Sequence, residues 1–375
     1  MFERARLVGL AALAMGCGGT ATTLPGRDLD APARMVVTER WRSGGRLIIV
    51  DETGDRLAPL LVPGDDAAGA PAVDEHPAFS PDGRWIVFAS TRARDDRRRS
   101  LWVAPARPDA TPRRITSGAA SDIDPTWAPG GDAIVFASDR DGASIDLYRL
   151  PMRDDAPAGA IERLTDAATH ELAPSLAAGR LVLQVVDPAS GASWIAERTH
   201  SGALEALTDG PSDGAPALAP DGALLAFTSA RLRVDGERDL DVRVVDGDGR
   251  ERAGVALEGS DEGAPAWSAN ARWLFVTSIV RDAEGAPLLP SVAHLDTWGE
   301  PPKLRMLRDT AGAAPRLGAA LARVDLDQTS LLRNPDHATA LRLALAQLEE
   351  AIAAARERDE ARGRRGDAAP STLPP

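Results

Sequence analysis

The stretch Asp124-Pro125-Thr126-Trp127-Ala128-Pro129-Gly130-Gly131-Asp132-Ala133-Ile134-Val135-Phe136-Ala137-Ser138 decides the fold, because it occurs more than once. A near copy reads His76-Pro77-Ala78-Phe79-Ser80-Pro81-Asp82-Gly83-Arg84-Trp85-Ile86-Val87-Phe88-Ala89-Ser90. In both, a short strand surrounds a proline, a tight turn reverses the chain, and an apolar strand ends on a small hydroxyl residue. In Pro-Asp-Gly, proline presets φ, aspartate bonds back to the backbone, and glycine takes a positive φ. Weaker copies follow. The third starts at Pro174, with Leu176, Gly179 and Leu181 to Val186. The fourth holds Pro216, Leu218, Pro220-Asp221-Gly222 and Leu224 to Ser229. The fifth holds Pro265, Trp267, Ser268 and Trp273 to Ser278. The five anchoring prolines stand 48, 49, 42 and 49 residues apart.

A third and a fourth strand complete each unit, as Ser100 to Ala104 and Arg113 to Thr116 do in the first. Four strands repeated every 40–50 residues describe a β-propeller blade. Outward from these repeats, Met35 to Trp41, Arg46 to Asp51 and Arg56 to Leu61 read as the last three strands of an earlier blade. Gly312-Ala313-Ala314-Pro315 lies one repeat beyond Pro265, where a first strand is due to close that blade. The expected fold is therefore all-β: a six-bladed propeller over residues 35–325, with five clear repeats and one blade closed by N- and C-terminal strands. Beyond it, Asn334 and Pro335 suit a helix start, and Leu341, Leu345, Leu348, Ile352 and Ala355 recur at helical spacing. A C-terminal α-helix is expected over 334–365, followed by a disordered tail over 366–375.

The turn, the apolar strand and the tail Ser138-Asp139-Arg140-Asp141-Gly142 resemble the TolB-type propeller repeat. Ser90-Thr91-Arg92 and Ser229-Ala230-Arg231 match that tail in part, and the third repeat carries Ala177-Ala178-Gly179 in place of Pro-Asp-Gly. The resemblance spans residues 35–310. It implies a propeller (a WD40-like repeat ring) that docks envelope proteins without catalysis, so periplasmic or other envelope proteins are the expected partners.

The N-terminus gives an address. Arg4 and Arg6 precede the apolar run Leu7 to Met15, which is too short to span a bilayer and has the layout of a secretory signal. Gly16-Cys17 follows and resembles the lipobox of bacterial lipoproteins, which implies acylation at Cys17. Residues 1–16 are then a lipoprotein signal peptide and 17–34 a flexible tether. Acyl chains at Cys17 would hold the protein on a membrane. Gly18 after the cysteine favours the outer membrane, facing the periplasm or the cell surface. Cys17 is the only cysteine, which excludes intrachain disulfides and cysteine zinc clusters.

Charge excludes another class of function. With 43 Lys+Arg against 56 Asp+Glu the net charge is −13, the wrong sign for a nucleic-acid binder. Few motifs suggest chemistry. Gly210-Pro211-Ser212-Asp213-Gly214 fits G-x-S-x-G but lacks the strand-to-helix setting of a nucleophile. The five histidines are dispersed with no metal-ligand spacing, and no catalytic residue or metal ligand is assigned. Asp139, Asp141 and Asp146 resemble the start of a calcium loop, so calcium is the one cofactor considered, although the same segment is turn chemistry in this repeat.

One constellation recurs with the repeat. Three residues before each anchoring proline stands an acid: Asp74, Asp122, Glu171, Asp213 and Glu262. Equivalent positions of a propeller form a ring around its channel. Either each acid caps its own turn, or together they make a negative channel mouth for a cationic ligand or partner segment. Two alternatives to a docking scaffold remain open. One is an enzyme acting on carbohydrate or peptide, with Asp74, Asp122 or Glu171 as acid and base. The other is a sensor of a cation or small ligand.

Overall fold

The computed structural model describes residues 13–15, 35–41, 44–50, 56–94, 96, 98–142, 144–232, 238–255, 260–268, 271–280, 291–297 and 303–306. These residues contain strands and turns and no helix. The helix expected over 334–365, the tail over 366–375 and the closing segment Gly312–Pro315 lie outside the described residues. So do Cys17 and the tether to residue 34.

Four consecutive blades run from Asp74 to Val255. Blade I comprises Asp74–Phe79, Trp85–Ser90, Ser100–Pro105 and Arg113–Arg114. Blade II comprises Asp122–Trp127, Ala133–Ser138 and Asp146–Arg153, with the short strands Ala156–Pro157 and Glu162–Arg163 both paired to the third strand. Blade III comprises His170–Ala177, Arg180–Val186, Ser193–Arg198 and Leu204–Ala206. Blade IV comprises Asp213–Leu218, Leu224–Leu232, Arg238–Asp246 and Glu251–Val255. All pairings are antiparallel. The first strands of successive blades lie beside one another, so they line the axis around which the blades turn.

Two four-stranded sheets flank these blades. One contains Leu13–Met15, Met35–Trp41, Gly44–Val50 and Arg56–Pro59; the other contains Ser260–Trp267, Trp273–Val280, Ser291–Asp296 and Lys303–Met306. The expectation of six blades is thus corrected to four consecutive blades with two flanking four-stranded sheets. A second expectation also changes. The first-strand position in the N-terminal sheet is taken by Leu13–Met15, paired with Met35–Val37, instead of by a segment near residue 312.

The repeated turns work as their residues require. In blade I, Ser80 N–H donates to the Trp85 carbonyl and Gly83 N–H to the Ser80 carbonyl, each at 2.8 Å. The Ser80 hydroxyl donates to Asp82 at 2.6 Å and accepts from Trp85 N–H at 2.9 Å. The turn glycines Gly83, Gly131 and Gly222 all have φ near +70°, a conformation that needs glycine. After the turns of blades I and II the second strand is apolar up to its terminal serine, because packed blades bury both of its faces. Val87, Ala89, Leu101 and Val103 of blade I meet Trp127, Ile134, Phe136 and Tyr148 of blade II. Val135, Ala137 and Leu147 of blade II meet Leu183, Val185 and Ala196 of blade III. Burying each large side chain in these seams stabilises the fold by roughly 1.5–3 kcal/mol.

Candidate functional site

The recurrent acids sit on the first strands, and the structure buries them. Residue exposures are 1% for Asp74, 1% for Asp122, 0% for Glu171 and 2% for Asp213. Glu262 is placed on the strand Ser260–Trp267 opposite Ser278. In place of an open ring of negative charge, two of these acids fasten the first strand to the end of the second. Ser90 donates its hydroxyl to Asp74 at 2.6 Å, and Arg92 donates through Nε and Nη2 to the two carboxylate oxygens at 2.9 and 2.7 Å. The same fastener recurs one blade on. Ser138 donates to Asp122 at 2.7 Å and Arg140 at 2.6 Å, and the Arg140 guanidinium also lies over the Phe136 and Tyr148 rings. Asp213 faces Ser229 in the same register. The tail Ser-x-Arg therefore supplies the partners of the acid, which is why they recur together. A carboxylate consumed in this way contributes little field to the channel.

Glu171 breaks the pattern. Across the hairpin it faces Val185, where Ser90 faces Asp74, and Asp187 stands where Arg92 and Arg140 stand. The Thr169 hydroxyl donates to Oε1 at 2.5 Å, while Oε2 has no hydrogen-bond partner. Burial is the main cause that pushes its carboxyl up to about 7, and the neighbouring Asp146 adds to it.

A second departure sits two residues further along each first strand. His76, Asp124, Ala173 and Ala215 are repeat-equivalent, and all have φ between +45° and +52° although none is glycine. Each precedes its anchoring proline, which disfavours the helical region, and each lies at a bulge where the register with the second strand shifts. The bulges turn these residues toward one another across the blades. His76 Nδ1 lies 2.7 Å from Asp124 Oδ1, with side-chain exposures of 31% and 20%. Asp124 Oδ2 in turn accepts from the Ala173 amide at 3.2 Å, and the Ala215 amide donates to Gln184 Oε1 at 3.3 Å. Arg99 pairs with Glu75 beside them.

The His76–Asp124 pair favours its charged form. Burial lowers the affinity of His76 for its proton, but the Asp124 carboxylate outweighs it and the net shift is upward. Burial likewise opposes ionisation of Asp124, and His76 outweighs it, so this carboxyl is held below its usual range. Sequence reasoning drew no link between His76 and Asp124. The signal available was that both stand at the same repeat position, immediately before the proline.

His170 accepts from the Ile145 amide at 3.1 Å, as a capping histidine. The three aspartates considered for calcium are each engaged separately. Asp139 takes the Ser121 amide at 2.8 Å and Arg98 at 3.0 Å, Asp141 the Tyr148 hydroxyl at 2.8 Å, and Asp146 the Arg163 guanidinium at 2.7 Å. Among the described residues no group of three or more His, Cys, Asp or Glu converges on a point that suits a metal ion.

With the geometry in place, known proteins can be set beside it. The family described as TolB beta propeller domain matches residues 66–271, the span of the four blades. The Tol-Pal system protein TolB of Francisella tularensis subsp. mediasiatica (strain FSC147) is 24% identical over 256 residues, covering 64% of this chain and 55% of that protein. Its counterpart from subsp. holarctica (strain OSU18) has the same identity and coverage. The chain thus spans about half the length of the curated relatives it matches. Among solved structures, TolB from Acinetobacter baumannii aligns with a TM-score of 0.54 at 18% identity, over 76% of this chain and 65% of that one, and shows the shared fold.

Proposed function

Because the chain belongs to the TolB beta propeller domain family, we propose that it is a non-catalytic protein-docking scaffold of the cell envelope. The family match over all four blades carries this proposal. The curated relatives are proteins of the Tol-Pal system, and an envelope protein is the partner class proposed here. The signal-like segment before Cys17 supports lipid anchoring, with the propeller held at the periplasmic side of the outer membrane by the tether; cleavage before Cys17 would vacate the first-strand position that Leu13–Met15 holds in the uncleaved chain. The blades present faces that stay rigid because apolar seams join neighbouring blades and fasteners tie the first two strands within blades I and II.

The competing enzyme has one observation in its favour, the carboxyl of Glu171 pushed up to about 7, in the range of a general acid. Against it, a general acid must touch its substrate, and Glu171, Asp74 and Asp122 are at most 1% exposed.

Crosslinking in native cells followed by pull-down tests the scaffold. One specific envelope protein is expected with the full-length, lipidated chain, with reduced recovery and a shift from the membrane to the soluble fraction for Cys17→Ser. Recovery of nothing above an unrelated lipidated propeller would overturn the docking role. An unchanged membrane fraction for Cys17→Ser would overturn the anchor alone.

A further inference from the structure

The first strand of blade III, His170–Ala177, is held at two points by ionisable side chains. At its start, two carboxyls are buried where the third strand of blade II packs on the first strand of blade III, those of Asp146 and Glu171, and Asp146 is one cause of the raised Glu171 carboxyl. Glu171 Oε2 and Asp146 Oδ1 are both buried and both lack a donor. The other oxygen of Asp146 accepts from Arg163 at 2.7 Å and from Ser144 at 3.2 Å. Two carboxyls and one guanidinium leave a surplus negative charge in the seam. A single proton on Glu171, donated to Asp146, removes that charge and satisfies both orphaned oxygens. Two residues along, the Ala173 amide is held by Asp124 Oδ2, and Asp124 is held by His76.

We propose that His170–Ala177 is a proton-operated element of the channel lining: protonated Glu171 latches it to Asp146, protonated His76 fixes the Asp124 carboxylate that holds the Ala173 amide, and loss of these protons above neutrality loosens the strand.

The surrounding charges leave Glu171 without a cation of its own among the described residues. Arg163 is shared between Asp146 and Asp166, the latter at 2.9 Å. Arg198, on the third strand of the same blade, donates to the Leu164 carbonyl at 2.9 Å. On the neighbouring first strands, Asp122 is paired with Arg140, and Asp213 faces Ser229. Beside His76, Arg99 is paired with Glu75. Both upward shifts, on Glu171 and on His76, favour the protonated form in the folded protein.

Hydrogen exchange on the full chain at about pH 6 and about pH 8.5, corrected for the intrinsic rate, tests the latch. Protection of residues 170–177 is expected to fall several-fold at the higher pH, while that of Ala133–Ser138 stays constant. Glu171→Gln keeps a donor toward Asp146 and cannot ionise, so it is expected to retain protection and lose most of the pH dependence. Equal protection of the wild type at both pH values, or full pH dependence in Glu171→Gln, would overturn the proposal. If that variant fails to fold, the infrared carbonyl band of a buried carboxylic acid decides: present in the wild type at about pH 6 and lost at about pH 8.5, or absent at both, which would overturn it.

Discussion

Glu171 faces Val185 across the first hairpin of blade III, at the position where Asp74 faces Ser90 in blade I. A valine in place of a hydroxyl, and Asp187 in place of an arginine, separate this acid from the one that fastens blade I.

Restoring a hydroxyl at that position gives the first prediction. Val185→Thr keeps the shape of the side chain and offers Glu171 a donor, which favours its ionised form. The stability difference between about pH 5 and about pH 8.5 is expected to shrink in this variant, as read by chemical denaturation at each pH. A larger difference would contradict a contribution of the missing hydroxyl to the raised carboxyl.

The wild type itself is expected to be more stable in mild acid than in mild base. Glu171 is raised from 4.5 to about 7 and His76 is raised above 6.5, so the folded chain binds more protons than the unfolded chain across this window. A raised group gives its full contribution below its unfolded value and loses it as pH climbs through the folded value. For Glu171 the loss runs from about pH 4.5 to about pH 7 and amounts to at most about 3 kcal/mol. Denaturant midpoints that rise over the same window would contradict it.

The fasteners are expected to be structural. Asp74→Ala leaves the Arg92 guanidinium buried without its carboxylate, its side chain being 9% exposed. Removing one partner of a buried ion pair destabilises by about 3–5 kcal/mol. Urea unfolding showing less than about 1 kcal/mol would mean that Arg92 finds water or another acceptor.

The turn glycines allow a paired test of opposite sign. Gly222 has φ +72°, and a Cβ there would sit 2.7 Å from the Ala178 Cβ, so Gly222→Ala is expected to destabilise by about 1–3 kcal/mol. In the C-terminal flanking sheet Ala271 holds the equivalent place with φ +58°, and its amide donates to the Ser268 carbonyl at 2.9 Å. Ala271→Gly relieves that strain and is expected to stabilise by about 0.5–1 kcal/mol. Thermal unfolding of both variants reads the two signs.

Much of the fold was legible because the turn needs fixed residue types at fixed places. Pro81-Asp82-Gly83 and Pro220-Asp221-Gly222 announce a reversal, and the apolar runs after them announce strands buried on both faces. The acids were found by spacing and misplaced in character. Spacing along the chain shows that Asp74 and Asp122 are equivalent, but only the hairpin register shows that Ser90 with Arg92, and Ser138 with Arg140, close onto them. The contact of His76 with Asp124 was hidden for another reason. It joins one blade to the next through bulges, and the strand alternation that marks a register is interrupted there. The chain ends lack the repeated turn, and the closing strand expected near Gly312 found no counterpart among the described residues.

Docking of an envelope protein on the ring is tested most directly by photo-crosslinking in cells from two single positions of the full-length lipidated protein. His76 reports on the channel side, and Leu207, exposed at 39% beyond the outer strand of blade III, reports on the rim. The scaffold account predicts one discrete adduct with the same envelope protein, from at least one of the two positions and in repeated cultures. The absence of any discrete adduct from both positions, with the chain folded and at its normal level, would contradict it.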